Sequence, residues 1–143
     1  MSTETKFESG KLYVSRYYDA PREAVFDAWV ETSKVSKWWG CDQTTNVEAE
    51  IEPKVGGKFI HRMTIGGVPQ APSQGRLVEF DPPVRLSYAD SDSKITVDFT
   101  ETGEGTQVLL VHEGIPEEYI QFVKPGWIAA FRKLDAFLSV EVA

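Results

Sequence analysis

Apolar residues recur along most of this chain with a period of two, and at its end with a period of three to four. Lys-Leu-Tyr-Val-Ser-Arg-Tyr-Tyr at 11–18 is a run of strand formers that stops at Asp19-Ala20-Pro21, where a capping residue and an early proline predict a helix. Val25, Phe26 and Trp29 form that helix's apolar stripe through about Val30. Thr32 and Ser33 are placed to cap a second, short helix that carries Val35, Trp38 and Trp39 and ends at Gly40. The period then becomes twofold. Val47, Ala49 and Ile51 oppose Glu48, Glu50 and Glu52, and Phe59, His61, Met63 and Ile65 oppose Lys58, Ile60, Arg62 and Thr64.

Gly66 to Ser73 reads as a flexible loop, and Asp81-Pro82-Pro83 as a sharp return between strands at 74–80 and 85–88. Strands at 94–100 and 106–112 follow. Pro116 opens a helical region in which Trp127, Ala130, Phe131, Leu134 and Leu138 share one face. Because proline cannot continue the intrahelical ladder, a first segment at 117–124 is expected, with a kink or restart at Pro125 and a firm helix from Gly126 to about Ser139. The pattern predicts an α+β fold: a curved antiparallel sheet of six to seven strands, two short helices after strand one, and a long C-terminal helix packed across the sheet.

Composition narrows the partners. With 143 residues the chain is expected to be one domain, 1–143, with a polar N-terminal tail at 1–10. A net charge of −7 argues against nucleic acid and anionic lipid as partners. The lone Cys41 offers neither a disulfide framework nor a zinc cluster, and no stretch reads as a signal peptide or membrane span. A reducing, cytoplasmic setting is expected, with no cofactor and no metal. A homodimer is left open.

Several stretches together resemble a known family. Ala20-Pro21-Arg22-Glu23-Ala24-Val25-Phe26-Asp27-Ala28-Trp29 followed by Trp38-Trp39 is similar to the opening of the START-like superfamily (SRPBCC, or Bet v 1-like). More narrowly it resembles the branch named for the activator of the 90-kDa heat-shock protein ATPase. Gly56-Gly57-Lys58-Phe59 resembles that branch's Gly-Gly-x-Phe hairpin. Gly75 to Leu86 resembles its Gly-x-Val-x-Glu…Pro-Pro-x-x-Leu stretch, and Thr106 to Gly114 with Gly126-Trp127 and Leu134 its closing signature. The resemblance implies the helix-grip fold and a deep cavity between the sheet and the last helix. Function varies widely on that scaffold.

Candidate site residues follow from phase and residue type. His61 shares a strand face with Phe59 and Met63; if that face is the inner one, it can hydrogen-bond a ligand carbonyl or phenol, although a satisfied core histidine is the commoner case. His112 ends a strand and is expected at the cavity mouth, in a structural bond to a loop carbonyl. Glu79 is in phase with Gly75 and Leu77, so it is a candidate inward carboxylate, with a strand-end ion pair to Arg85 as the competing reading. Trp38 and Trp39 cannot both face one way on a short helix: one should pack inward with its neighbour near the surface, or both should flank an entrance. With Phe26, Phe59, Met63, Tyr88, Phe99, Trp127 and Phe131, they are expected to line an apolar cavity. No catalytic residue is assigned.

The function expected is non-enzymatic binding of a small hydrophobic, aromatic or lipid-like molecule, for sensing or sequestration. The alternative is a polyketide cyclase or aromatase in which His61 or Glu79 moves protons. A co-chaperone-like interaction is placed last, because the activators it would imitate carry an additional N-terminal domain that this sequence lacks.

Overall fold

Strand alternation builds the sheet in the order the pattern predicts. The computed structural model describes residues 3–141. In chain order the elements are β1 (Glu4–Glu8), β2 (Lys11–Tyr18), α1 (Arg22–Val30), α2 (Thr32–Val35), β3 (Thr44–Ile51), β4 (Lys58–Ile65), β5 (Val68–Pro69), β6 (Gly75–Asp81), β7 (Arg85–Ala89), β8 (Lys94–Thr102), β9 (Gly105–Glu113) and α3 (Ile120–Glu141). A 3₁₀ turn at Glu117–Tyr119 leads into α3. All strands pair antiparallel in one sheet ordered β1-β2-β9-β8-β7-β6-β4-β3, with β5 beside β4. This is the helix-grip architecture, with nine strands among the described residues in place of six to seven.

The two added strands were hidden for different reasons. Glu4–Glu8, expected as part of a polar tail, forms β1 and pairs with β2 through a two-residue turn at Ser9-Gly10, both at positive φ. Four of its five residues are exposed, so no apolar alternation marks it. β5 is two residues long and makes a small hairpin with the end of β4.

Cross-strand register brings the inward residues into rows. Val14, Leu110, Val97 and Leu86 are successive partners across β2, β9, β8 and β7. Leu12, His112, Ile95, Tyr88 and Leu77 form the next row, which reaches β6. Onto this face pack Phe26 and Trp29 of α1 and Phe131, Leu134 and Leu138 of α3, all buried. Tyr18 Oη donates a 3.0 Å hydrogen bond to the Phe131 carbonyl, pinning the helix to β2. Burial of this phenol pushes its pKa well above the usual value.

Three local expectations change. α1 begins at Arg22 with Pro21 as its N-cap and no side-chain cap, so Asp19 plays no capping part. α2 has only four residues and is flanked by Glu31, not capped by Thr32 or Ser33; Trp38 and Trp39 follow in a turn whose amides donate to the Val35 carbonyl. α3 runs unbroken through Pro125, so no restart occurs there. The missing N–H forgoes one bond to the Gln121 carbonyl, and Gln121 is exposed, so solvent can serve that oxygen.

Candidate functional site: a cavity where the sheet splits

β4 and β6 pair over only two residue pairs, Lys58↔Arg76 and Phe59↔Gly75. Beyond Phe59 the two strands part, so His61, Met63 and Ile65 of β4 have no ladder partner on β6. The loop before β6 straps this gap. The Ser73 amide donates to the His61 carbonyl at 3.2 Å, the His61 amide to Ser73 Oγ at 3.0 Å, and the Gln70 amide to the Met63 carbonyl at 2.8 Å. Gly75 permits the last contact before the split: a Cβ there would lie 2.7 Å from the Phe59 carbonyl oxygen. Between this gap and α3 lies a cavity of about 480 Å³. That is the size range of small-molecule sites.

Six of the twelve expected residues meet at this cavity: Trp39, His61, Met63, Tyr88, His112 and Trp127. Phe26, Trp38, Phe59, Phe99 and Phe131 do not line it. They are fully buried in the packed core beside it, at 0–1% exposure. The rings fill the α1 end of the inner face, and empty space is left only where β4 departs. Trp38 and Trp39 are both buried, contrary to the expectation that one lies near the surface or that both flank the entrance. Trp38 packs on Trp29 at 4.8 Å and donates its indole N–H to the Ala28 carbonyl at 2.9 Å, while Trp39 forms a cavity wall.

Glu79 is outside. A β-bulge between Leu77 and Glu79 shifts the register, so Leu77 pairs with Tyr88 but Glu79 with Ser87. The extra residue reverses the phase. Phe80 packs inward on Phe26, and Glu79 turns out to face Arg85 at 3.5 Å.

The polar residues that line the cavity are few, and Asp90 is the one carboxylate among them. His61 stacks flat on Trp39, with centroids 3.8 Å apart and planes 4° from parallel, and is 3% exposed. Burial lowers its pKa to about 3, so the imidazole is uncharged at neutral pH. Its Nε2 is buried without a hydrogen-bond partner, as is the Tyr88 hydroxyl. Burial also pushes the Tyr88 phenol far up. Each orphan group costs about 1–3 kcal/mol while it stays unpaired.

His112 is satisfied by a partner other than the expected loop carbonyl: Trp127 Nε1 donates to its Nδ1 at 3.1 Å. An acceptor Nδ1 leaves the proton on Nε2. Burial takes the His112 pKa down to about 4, although the nearby Asp90 carboxylate opposes the shift.

Other lining residues escaped the sequence reading, Ser73, Asp90, Phe122 and Cys41 among them. Ser73 and Asp90 lie in loops, Phe122 stands one position off the apolar stripe of α3, and a lone Cys41 carries no pattern that points to a site. Lys133 of α3 holds this last segment in place, its Nζ donating to the carbonyls of Trp39 at 3.2 Å and Cys41 at 2.9 Å; Arg132 pairs with Asp42 beside it. Burial raises the Cys41 thiol pKa, but the Thr44 hydroxyl, local backbone amides and Lys133 outweigh it and leave a net lowering. Among the described residues, no cluster of His, Cys, Asp or Glu could hold a metal, and no helix is long and apolar enough to cross a membrane.

Known structures share this architecture. A protein of Rhodobacter sphaeroides superposes with a TM-score of 0.85 at 20% identity, covering 97% of this chain and 99% of its own. CalU16 from Micromonospora echinospora gives 0.70 at 22% identity, with 99% and 89% covered. A protein of Nitrosomonas europaea gives 0.84 at 17% identity, with 96% and 99% covered. At these identities the likeness speaks for the fold alone. No curated protein matches the sequence. Residues 19–139 do match a family, the one described as "Activator of Hsp90 ATPase homolog 1-like protein", and they span both short helices, the sheet from β3 onward and most of α3. The chain belongs to that family.

Proposed function

We propose that this protein binds a small, largely apolar aromatic molecule in the cavity between the split sheet and α3, and sequesters or senses it without transforming it. The carrying observation is the gap between β4 and β6, which leaves about 480 Å³ walled by Trp39, Met63, Ile95 and Trp127, with His61 and Tyr88, two residues that carry unpaired buried polar atoms, also in the lining. A filled core would have brought these walls together. The cyclase reading loses its proton carriers: Glu79 is outside the cavity, and an imidazole with a pKa near 3 is a poor base at neutral pH. A reducing, cytoplasmic setting fits the half-buried free thiol of Cys41.

The test is a thermal-shift and native mass spectrometry screen with substituted arenes and short lipids. A ligand at a hundredfold its Kd adds about 2.7 kcal/mol, a rise in Tm of roughly 5–10 °C. Ala71→Trp places an indole on the exposed rim of the cavity and should abolish the shift without loss of stability. If no arene or lipid shifts the native protein, the proposal fails.

A further inference from the structure

Resting on that reading, we propose that the cavity selects uncharged aromatic ligands bearing one hydroxyl or carbonyl, and rejects the corresponding carboxylates. His61 Nε2 and the Tyr88 hydroxyl are both buried and both unpartnered, on two residues that line the same cavity. Their rings pack on one side chain, Phe59, at centroid distances of 4.9 and 4.3 Å, so one ligand can address both. A neutral imidazole offers a donor or an acceptor according to tautomer, and a phenol offers both. A phenol or an aryl ketone can therefore complete the pair without bringing charge.

The remaining groups disfavour an anion. No lysine or arginine lines the cavity, and Asp90 contributes a carboxylate. That carboxylate is held ionised because three bonds from the Asp92 amide and from the Ser93 amide and hydroxyl outweigh the effect of its burial. His112 faces the cavity as a neutral ring bonded to Trp127, and Cys41 as a thiol near the rim. Lys133 is outside the lining and committed to the Trp39 and Cys41 carbonyls. An anionic guest would shed its water against indole and thioether walls and gain no counter-charge.

The experiment compares naphthalene, 2-naphthol and 2-naphthoate by titration calorimetry at neutral pH. The inference expects 2-naphthol to bind about tenfold or more tighter than either of the others. In Tyr88→Phe and His61→Phe the advantage of naphthol over naphthalene should shrink toward unity, while retained naphthalene binding reports an intact fold. Should a variant not fold, the ranking of the three ligands by the native protein still decides. Naphthoate binding as tightly as naphthol, or naphthol no better than naphthalene, overturns the inference and leaves the binding function standing. Binding of none of the three, with no hit in the wider screen, overturns both.

Discussion

Tyr88 shows at the scale of one atom what an unpaired buried polar group costs its protein. Its hydroxyl is buried without a partner while its ring packs on Phe59 at 4.3 Å. Removing the oxygen removes a desolvated group and keeps the packing. Tyr88→Phe is therefore expected to raise the stability of the unliganded protein by about 1–3 kcal/mol, seen as an upward shift in urea midpoint at unchanged m-value. A lower midpoint would mean that the hydroxyl is satisfied. Cys41 makes a second residue-scale case. Lys133 is among the groups that lower its thiol pKa, after Thr44 and the local amides. Lys133→Met should slow alkylation of Cys41 by iodoacetamide near neutral pH, and a bound arene should protect the thiol, because Cys41 lines the cavity. Equal rates with and without arene would place the guest elsewhere.

Elements were legible where burial imposes a period and illegible where pairing decides. β8 alternates Ile95, Val97 and Phe99 against Thr96, Asp98 and Thr100, and it could be read directly because one face meets the core and the other water. The common face of Phe59, His61 and Met63 was legible for the same reason, with its inward direction left conditional. The bulge that expels Glu79 was not: inserting one residue leaves no mark in a seven-residue strand, and the shift exists only relative to β7. Nor could the sequence say where β4 leaves β6, since that point depends on a long-range pairing of two residues, and the cavity's position follows from it. Pro125 misled in the opposite direction, because one lost bond on an exposed turn is too small a defect to break a helix anchored by Trp127, Phe131 and Leu134. Pro125→Ala restores an N–H toward the Gln121 carbonyl and should raise Tm, with a gain of about 1–3 kcal/mol. A fall in Tm would show that the ring itself packs usefully.

The whole molecule must respond to acid through its two histidines. Both have folded pKa values below the ordinary 6.5, about 3 for His61 and about 4 for His112. The unfolded chain therefore binds more protons than the folded one once pH drops below 6.5, and stability falls as pH falls. The loss runs from about pH 6.5 to 4 for His112 and on to about 3 for His61. Near pH 5 the His61 contribution is about 2 kcal/mol. Glu52 and Asp90, whose carboxyls are also held low, extend the same trend, while Asp27, raised by burial and Glu31, opposes it. Unfolding at about pH 5 should take up close to two protons onto these rings, and close to one in His61→Phe. An uptake unchanged by that substitution would show His61 to be charged in the folded state.

The early end of the β4–β6 ladder has one more implication. The room in the cavity is bounded by the short connection at 70–74, which spans the breach and contributes no rung to the strands on either side apart from its tethers to β4. Lengthening or trimming that connection would retune the dimensions of the hollow while the rest of the scaffold stayed as it is, so descendants of this chain could reshape their interior by editing a handful of codons.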